Sequence, residues 1–430
     1  MRKIIITLAL IFFYPANAIA VTLYEALNET YRNNTELNAE RENINASAED
    51  INISKADYMP SITLSGSKSY ENTNTLKNQD GTGASINDVN PLTTSIKLEQ
   101  TLIDKGRDVE YSKNLIGLEL AKARLLKKEQ EILYSAIDAF TSLILAREKL
   151  SINRRNLNLL IKQVETDKVR LDRGQITTAD LYQSESSLAG ARAQFTQSKS
   201  ELMINKLNYE NIIGKLSDPN KLKKSSKSIV SVPDSLAEAI ELSKNNNPDI
   251  KISKLELNQS EKDLLISEAD LNPTASVSLE RSYTEDLSAT YDEKEKDILK
   301  ATISWPFYSG GKKRFKINKN SNLIYRKRLL LESAIKTSDT NVGTAWSSLQ
   351  SSKSFLNSVI SQVRAAKIAN EGIIAEYQRG SRTTLDVIQS NSLLLSAEIS
   401  LANSQRNHLI TQYNLLKSIG LLNRNYLKLK

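Results

Sequence analysis

The chain is 430 residues long, with 58 Lys and Arg against 50 Asp and Glu, one His and no Cys. Without Cys it has no disulfide, no thiolate nucleophile and no zinc–sulfur site, and the single His408 leaves no second imidazole for a His-pair metal site. Only 6% of residues are aromatic and Gly and Pro are few, which suits long helices with narrow apolar stripes better than wide cores.

Residues 1–20, MRKIIITLALIFFYPANAIA, join a positive start at Arg2 and Lys3 to an apolar run from Ile4 to Tyr14 and a small-x-small site at Ala18-Ile19-Ala20. The pattern predicts a secretory signal peptide, too short to span a membrane as a helix, with a mature chain from about Val21. No Cys follows the site to carry a lipid. No later apolar run approaches the roughly 20 residues of a spanning helix, so any membrane crossing falls to β-strands.

From there the chain is one pattern written twice. Residues 173–216 and 379–422 align without gaps, with identities that include Arg173/Arg379, Gly174/Gly380, Thr177/Thr383, Thr178/Thr384 and Asp180/Asp386. Leu23-x-Glu25-Ala26-Leu27 answers Leu236-x-Glu238-Ala239-Ile240, and Ala56-Asp57-x-x-Pro60 answers Ala269-Asp270-x-x-Pro273. Gly106-Arg107 likewise answers Gly311-Lys312. The first repeat covers 21–216, a polar linker 217–234, the second repeat 235–422 and a tail 423–430.

Each repeat opens with a helix, about 22–57 and 235–270, ended ahead of Pro60 and Pro273 because the residue before Pro disfavours the α region. Period-2 alternation follows and predicts β-hairpins at about 60–103 and 273–308. Ile62, Leu64, Gly66 and Tyr70 share one face, as do Leu92, Ile96, Leu98 and Leu102. In the second repeat the apolar sets are Ala275, Val277, Leu279 and Tyr283, then Leu299, Ala301, Ile303, Trp305 and Phe307. Strands of about ten residues with one apolar and one polar face suit a transmembrane barrel, or half-buried strands of a soluble sheet. The stretches 71–91 and 284–297 read as polar loops; Glu285, Asp286, Asp292 and Glu293 form either a solvated loop or a weak calcium site.

Long helices are expected over about 107–172 and 312–378. In the first, Leu118, Leu125, Ile132 and Ala139 recur every seven residues beside a second seam of Leu126, Leu133 and Phe140, which predicts packing on both flanks. Some 66 residues at 1.5 Å each give a rod of roughly 100 Å. After Arg173-Gly174 and Arg379-Gly380 the chain turns, and shorter helices return over about 178–213 and 384–419.

This order of elements, and the RGSRTTLDVIQSNSLLLSAEISLANSQ segment with its counterpart at 173, resembles the TolC family of outer-membrane efflux proteins across essentially the whole mature chain. The resemblance implies a mixed α/β membrane protein without enzymatic activity or cofactor. It implies a homotrimer in which four strands per chain build one twelve-stranded β-barrel in the outer membrane of a Gram-negative bacterium. A long periplasmic α-helical barrel continues it, with the linker in its equatorial region. Such a duct docks onto a periplasmic membrane-fusion adaptor and an inner-membrane pump of RND or ABC type, and passes small molecules or proteins outward. Physical reasoning agrees on assembly: four strands cannot close around a lumen, and lipid does not tolerate open strand edges.

The resemblance further implies an iris-like gate at the helix turns, with Thr178, Asp180, Tyr377, Arg382 and Asp386 as its residues. Arg382 can donate to the Asp180 carboxylate and the Thr178 hydroxyl on a neighbouring helix, and Tyr377 can donate to Asp180. Helix capping is the simpler role for Asp180 and Asp386. The family's second Asp, three residues past Asp386, is Gln389 here, so one carboxylate ring is expected rather than two. Gly174, Gln175, Gly380 and Ser381 are the expected adaptor contacts, or simply the residues that let the chain turn. The competing reading is a soluble periplasmic coiled-coil scaffold without channel activity, which explains the rods but not the repeated strands. Nucleic-acid binding does not fit an exported chain of modest net charge.

Overall fold

The computed structural model describes residues 21–83, 88–225, 231–288 and 291–430. The expected signal peptide and the middle of the expected linker lie outside the described residues. The elements in chain order are α1 (Leu23–Asn33), α2 (Thr35–Ala56), β1 (Ser61–Lys68), β2 (Leu92–Ile103), α3 (Lys105–Asp172), α4 (Thr178–Ile212), α5 (Leu236–Asn246), α6 (Pro248–Ala269), β3 (Thr274–Glu285), β4 (Glu293–Ser304), α7 (Lys312–Gln378), α8 (Thr384–Ser418) and α9 (Arg424–Leu427). Among the described residues no helix is long and apolar enough to cross a membrane.

The opening helix of each repeat, expected as one, is two. Asn34 and Asn247 take extended backbone angles and cap the helix that follows. The Asn34 Oδ1 accepts from the Leu37 N–H, and the Asn247 Oδ1 from Asp249 and Ile250. An Asn side chain competes with the helix for backbone donors, and Pro248 at the first helical position cannot continue the preceding hydrogen-bond ladder.

Two compact units form, and neither is a repeat. One comprises residues up to Asn38, Lys128–Asn246 and Asp339–Lys430; the other comprises Ala39–Lys127 and Asn247–Ser338. Each draws on both halves of the duplication.

The first unit holds the hydrophobic core. Leu133, Ile137, Phe140 and Leu143 from α3 pack with Tyr413 and Leu416 from α8, with Ile419 just past its end, and with Leu23 and Leu27 from α1. The 423–430 segment is no loose tail. Leu427 and Leu429 are buried in this core, and the Lys430 N–H donates to the Asn28 Oδ1 at 2.7 Å. The start of the expected linker is also fixed. Arg147 donates to the carbonyls of Pro219, Asn220 and Leu222, and Lys224 pairs with Glu148 at 2.7 Å.

The second unit carries the sheet, antiparallel throughout in the order β1-β2-β3-β4. Its register places Ile62, Leu98, Leu279 and Leu299 in one row across all four strands. Val277 lies opposite Ala301 in the row beside it. A register shift between Thr101 and Ile103 then sets Ile103, not the expected Leu102, opposite Ala275 and Ile303. The alternate face pairs Ser65 with Ser95 and Ser282, and Thr93 with Thr284. β3 and β4 run further into the expected loop than apolar alternation suggested. Their outer ends alternate in charge instead, with Arg281 reaching Glu295 at 3.4 Å. The apolar face is bare: Leu64, Leu299 and Ile303 are 79%, 76% and 79% exposed.

The same hydrogen bond anchors both repeats beneath the sheet. Asn114 on α3 donates to Ser54 of α2 at 2.5 Å, and Asn320 on α7 donates to Ser267 of α6 at 2.6 Å.

Candidate gate at the helix turns

The turn from α3 to α4 and the turn from α7 to α8 both lie in the first unit and use the same chemistry. Gly174 and Gly380 take φ of +67° and +82°, the left-handed region that a side chain resists. Their N–H groups close the helix ends onto the carbonyls of Leu171 and Tyr377, and the next residues, Gln175 and Ser381, bond back to Arg170 and Glu376. Thr177 and Thr383 then start α4 and α8 with matching capping boxes. Asp180 Oδ2 accepts from the Thr177 N–H at 2.9 Å and hydroxyl at 2.7 Å; Asp386 Oδ2 accepts from Thr383 at 3.0 and 2.9 Å. The backbone bond from the capping Thr is the first cause that holds both carboxyls below the usual aspartate range. Asp180 and Asp386 are therefore caps within the chain, and Thr178 is the first helical residue after the cap.

A buried polar network lies behind these turns. Tyr377, only 4% exposed, donates its hydroxyl to Asp167 Oδ1 at 2.6 Å, and Ser184 donates to the other oxygen at 2.5 Å. Gln163 donates to Asp167 at 2.9 Å and to the Tyr377 hydroxyl at 3.2 Å. The Arg170 guanidinium stacks 4.0 Å from the centre of the Tyr377 ring and donates to its carbonyl at 3.2 Å. The Thr384 hydroxyl stands 3.3 Å from the phenol. Burial, and then the Asp167 bond, push the phenol above its ordinary pKa. On the far side Asn370 of α7 donates to Ser390 and Asn391 of α8, both buried.

The turns fall where the sequence places them, but the side chains there meet different partners within the chain. Within the chain Tyr377 bonds Asp167 rather than Asp180, and Arg382 pairs with Glu376 at 2.7 Å rather than with Asp180 or Thr178. A local reason governs Arg382: six residues separate it from Glu376 across a tight turn, so the pair forms without a neighbour. Asp167, Gln163, Arg170 and Ser184 were not singled out, and Thr384 was marked only as the repeat counterpart of Thr178. One signal existed for Ser184: it aligns with Ser390 in the repeat, and both are buried on the face toward the outgoing helix.

Between the two turns lies a cleft of about 550 Å³ that brings Gln175, Asp180, Arg382 and Gly380 onto one concave surface with Arg170 and Tyr377. Gly174, Gln175, Gly380 and Ser381 are all exposed. His408, the only imidazole, sits away from this site between Ser352 at 3.1 Å and Gln412 at 2.9 Å.

A duplicated helical frame with a four-stranded sheet, apolar on one face and polar on the other, is the architecture expected of an outer-membrane channel protein. Comparison with known proteins agrees. A family model described as outer membrane efflux protein matches residues 26–215 and 239–421, one segment per repeat. The chain belongs to that outer membrane efflux protein family, whose place is the outer membrane of Gram-negative bacteria. It is similar to the outer membrane efflux protein BepC of Brucella suis, 25% identical over 418 residues that cover 96% of this chain and 88% of that one. It is also similar to the alkaline protease secretion protein AprF of Pseudomonas aeruginosa, 20% identical over 80% of this chain and 72% of that one. The fold matches the Campylobacter jejuni CmeC outer membrane channel with a TM-score of 0.78 at 13% identity, covering 93% of this chain and 85% of that one.

Proposed function

We propose that three copies of this chain form the exit duct of a tripartite efflux pump or type I secretion system. The observation that carries this reading is the bare apolar row Ile62–Leu98–Leu279–Leu299 on a sheet whose outer strands, β1 and β4, each have one unpaired edge within the chain. Lipid accepts such a sheet only when its edges are closed by other copies, and three copies of four strands give an even-numbered barrel of twelve. The polar face then lines a wet lumen. The helix turns form the periplasmic end and hold the gate, with Thr178, Asp180, Tyr377, Arg382 and Asp386 around the constriction. Asp386, contributed once per copy, sets a carboxylate ring that favours cations. Gly174, Gln175, Gly380 and Ser381 meet the membrane-fusion adaptor, which joins the duct to an RND or ABC pump. A relative named for efflux and another named for protease secretion are consistent with either cargo.

The test is direct. Protein purified from membranes in detergent should run as a heat-modifiable trimer and open discrete ion-conducting steps in planar bilayers. A monomeric, water-soluble product that conducts no current overturns the reading.

A further inference from the structure

We propose that the segment from Trp305 to Lys319 is a binding surface for anionic phospholipid headgroups, on the side of the membrane where the strands pass into the helices. The inference rests on the reading that the sheet spans the membrane, and it adds a lipid preference that this reading does not require.

The segment continues the apolar row directly. β4 ends at Ser304, and Trp305, Phe307 and Tyr308 follow at 64%, 88% and 86% exposure, an aromatic belt at the strand exit. Gly310 and Gly311, with φ of +62° and +79°, turn the chain into α7, and the Phe315 ring, itself exposed, folds back against Gly311. Lys312, Lys313, Arg314, Lys316 and Lys319 then arrive within eight residues, and no acidic residue occurs until Glu332. Helical spacing puts Lys312, Phe315, Lys316 and Lys319 on one face, and all four are exposed.

The charge has too little compensation from the protein. Asp270 takes Lys316 at 2.7 Å, and its carbonyl accepts from Lys313. Lys312, Arg314 and Lys319 have no ion pair among the described residues. Cations at this end of a helix oppose its macrodipole, so they are not there to stabilise α7. The equivalent start of the first repeat differs: after Lys105 and Arg107 come Asp108 and Glu110. A basic cluster immediately beyond an aromatic belt matches a layer of phosphate-bearing headgroups, which it attracts and to which long Lys stems can reach.

The experiment uses the purified full-length protein in nanodiscs of mixed phosphatidylglycerol and phosphatidylcholine, with mass analysis of the lipids that stay bound. Wild type should enrich phosphatidylglycerol. The double variant Lys312→Gln/Lys319→Gln should lose that enrichment by roughly fivefold per charge removed, while Lys300→Gln, on the polar sheet face, should keep it. Equal enrichment in wild type and the double variant overturns the inference. So does a double variant that alters anion selectivity of the pore with enrichment unchanged, since the basic face would then point into the lumen. A wild type that conducts in zwitterionic bilayers yet shows no lipid preference overturns this inference alone; failure to enter any bilayer overturns the exit-duct reading instead.

Discussion

The Tyr377 hydroxyl donates to Asp167 across 2.6 Å, and this bond ties the last turn of α7 in one repeat to α3 in the other. Asp167 is fully buried, so its carboxylate depends on the three side chains that donate to it: Tyr377, Ser184 and Gln163. Of the donors to Asp167 only the Tyr377 phenol comes from the second repeat; the other contact between the repeats here is Arg170, which stacks on the Tyr377 ring and donates to its carbonyl.

Tyr377→Phe should cost about 1 kcal/mol, since Asp167 keeps two donors. It should loosen the turns much more than it lowers overall stability. Single-channel recordings are expected to show a larger closed-state conductance, with thermal unfolding shifted by only a few degrees. Unchanged conductance in a folded variant would count against the Tyr377–Asp167 bond as a restraint on the gate.

Arg382→Ser tests a different kind of contact. Arg382 and Glu376 are 47% and 50% exposed, and such surface pairs contribute about 0–1 kcal/mol. Thermal stability should hardly change. A rise in conductance at constant stability would place the decisive partner of Arg382 on another chain of the assembly; no rise would confine its role to the local pair.

Leu299→Lys and Thr302→Lys separate the two faces of β4. Leu299 stands in the apolar row with Leu279, whereas Thr302 faces the other way, opposite Ser276. A Lys on the lipid side costs roughly 2–4 kcal/mol near the bilayer midplane. Leu299→Lys should sharply reduce the heat-modifiable form recovered from membranes, and Thr302→Lys should leave recovery intact and shift ion selectivity. Equal recovery of both would overturn the assignment of faces.

His408 predicts an acid sensitivity. Burial, with the Lys353 charge nearby, holds its imidazole below the ordinary value of 6.5. Below about pH 6.5 the unfolded chain therefore binds a proton that the folded chain resists, and stability falls as pH drops through that window. His408→Gln should narrow the gap between thermal midpoints measured at pH 7.5 and pH 5. An identical gap would show that other groups carry the pH dependence.

Much of this architecture can be read from residues alone, because duplication repeats each signal. Strand alternation at Ile62–Tyr70 is ambiguous by itself, but its recurrence at Ala275–Tyr283 after the same Pro is not. The features missed are those where a local signal was outvoted or had no periodicity. Asn34 and Asn247 sit inside helical patterns, so their capping role was hidden. Leu427 and Leu429 stand among basic residues and resemble a solvated tail, although both are buried. Asp167 is one carboxylate among many on a highly charged helix, and nothing in its neighbours announces that Tyr377, 210 positions away, will cover it. The outer ends of β3 and β4 escaped for the opposite reason: their alternation is one of charge, which apolar patterning does not register.

One consequence follows from where Leu427 and Leu429 pack. They share a core with Leu23 and Leu27, so that core lacks a wall until residues 427–429 have been delivered. A chain bound for the outer membrane must first be threaded, unfolded, through the inner one. The closing piece of the core lies more than 400 positions after its first piece, so that core is completed only after both have crossed.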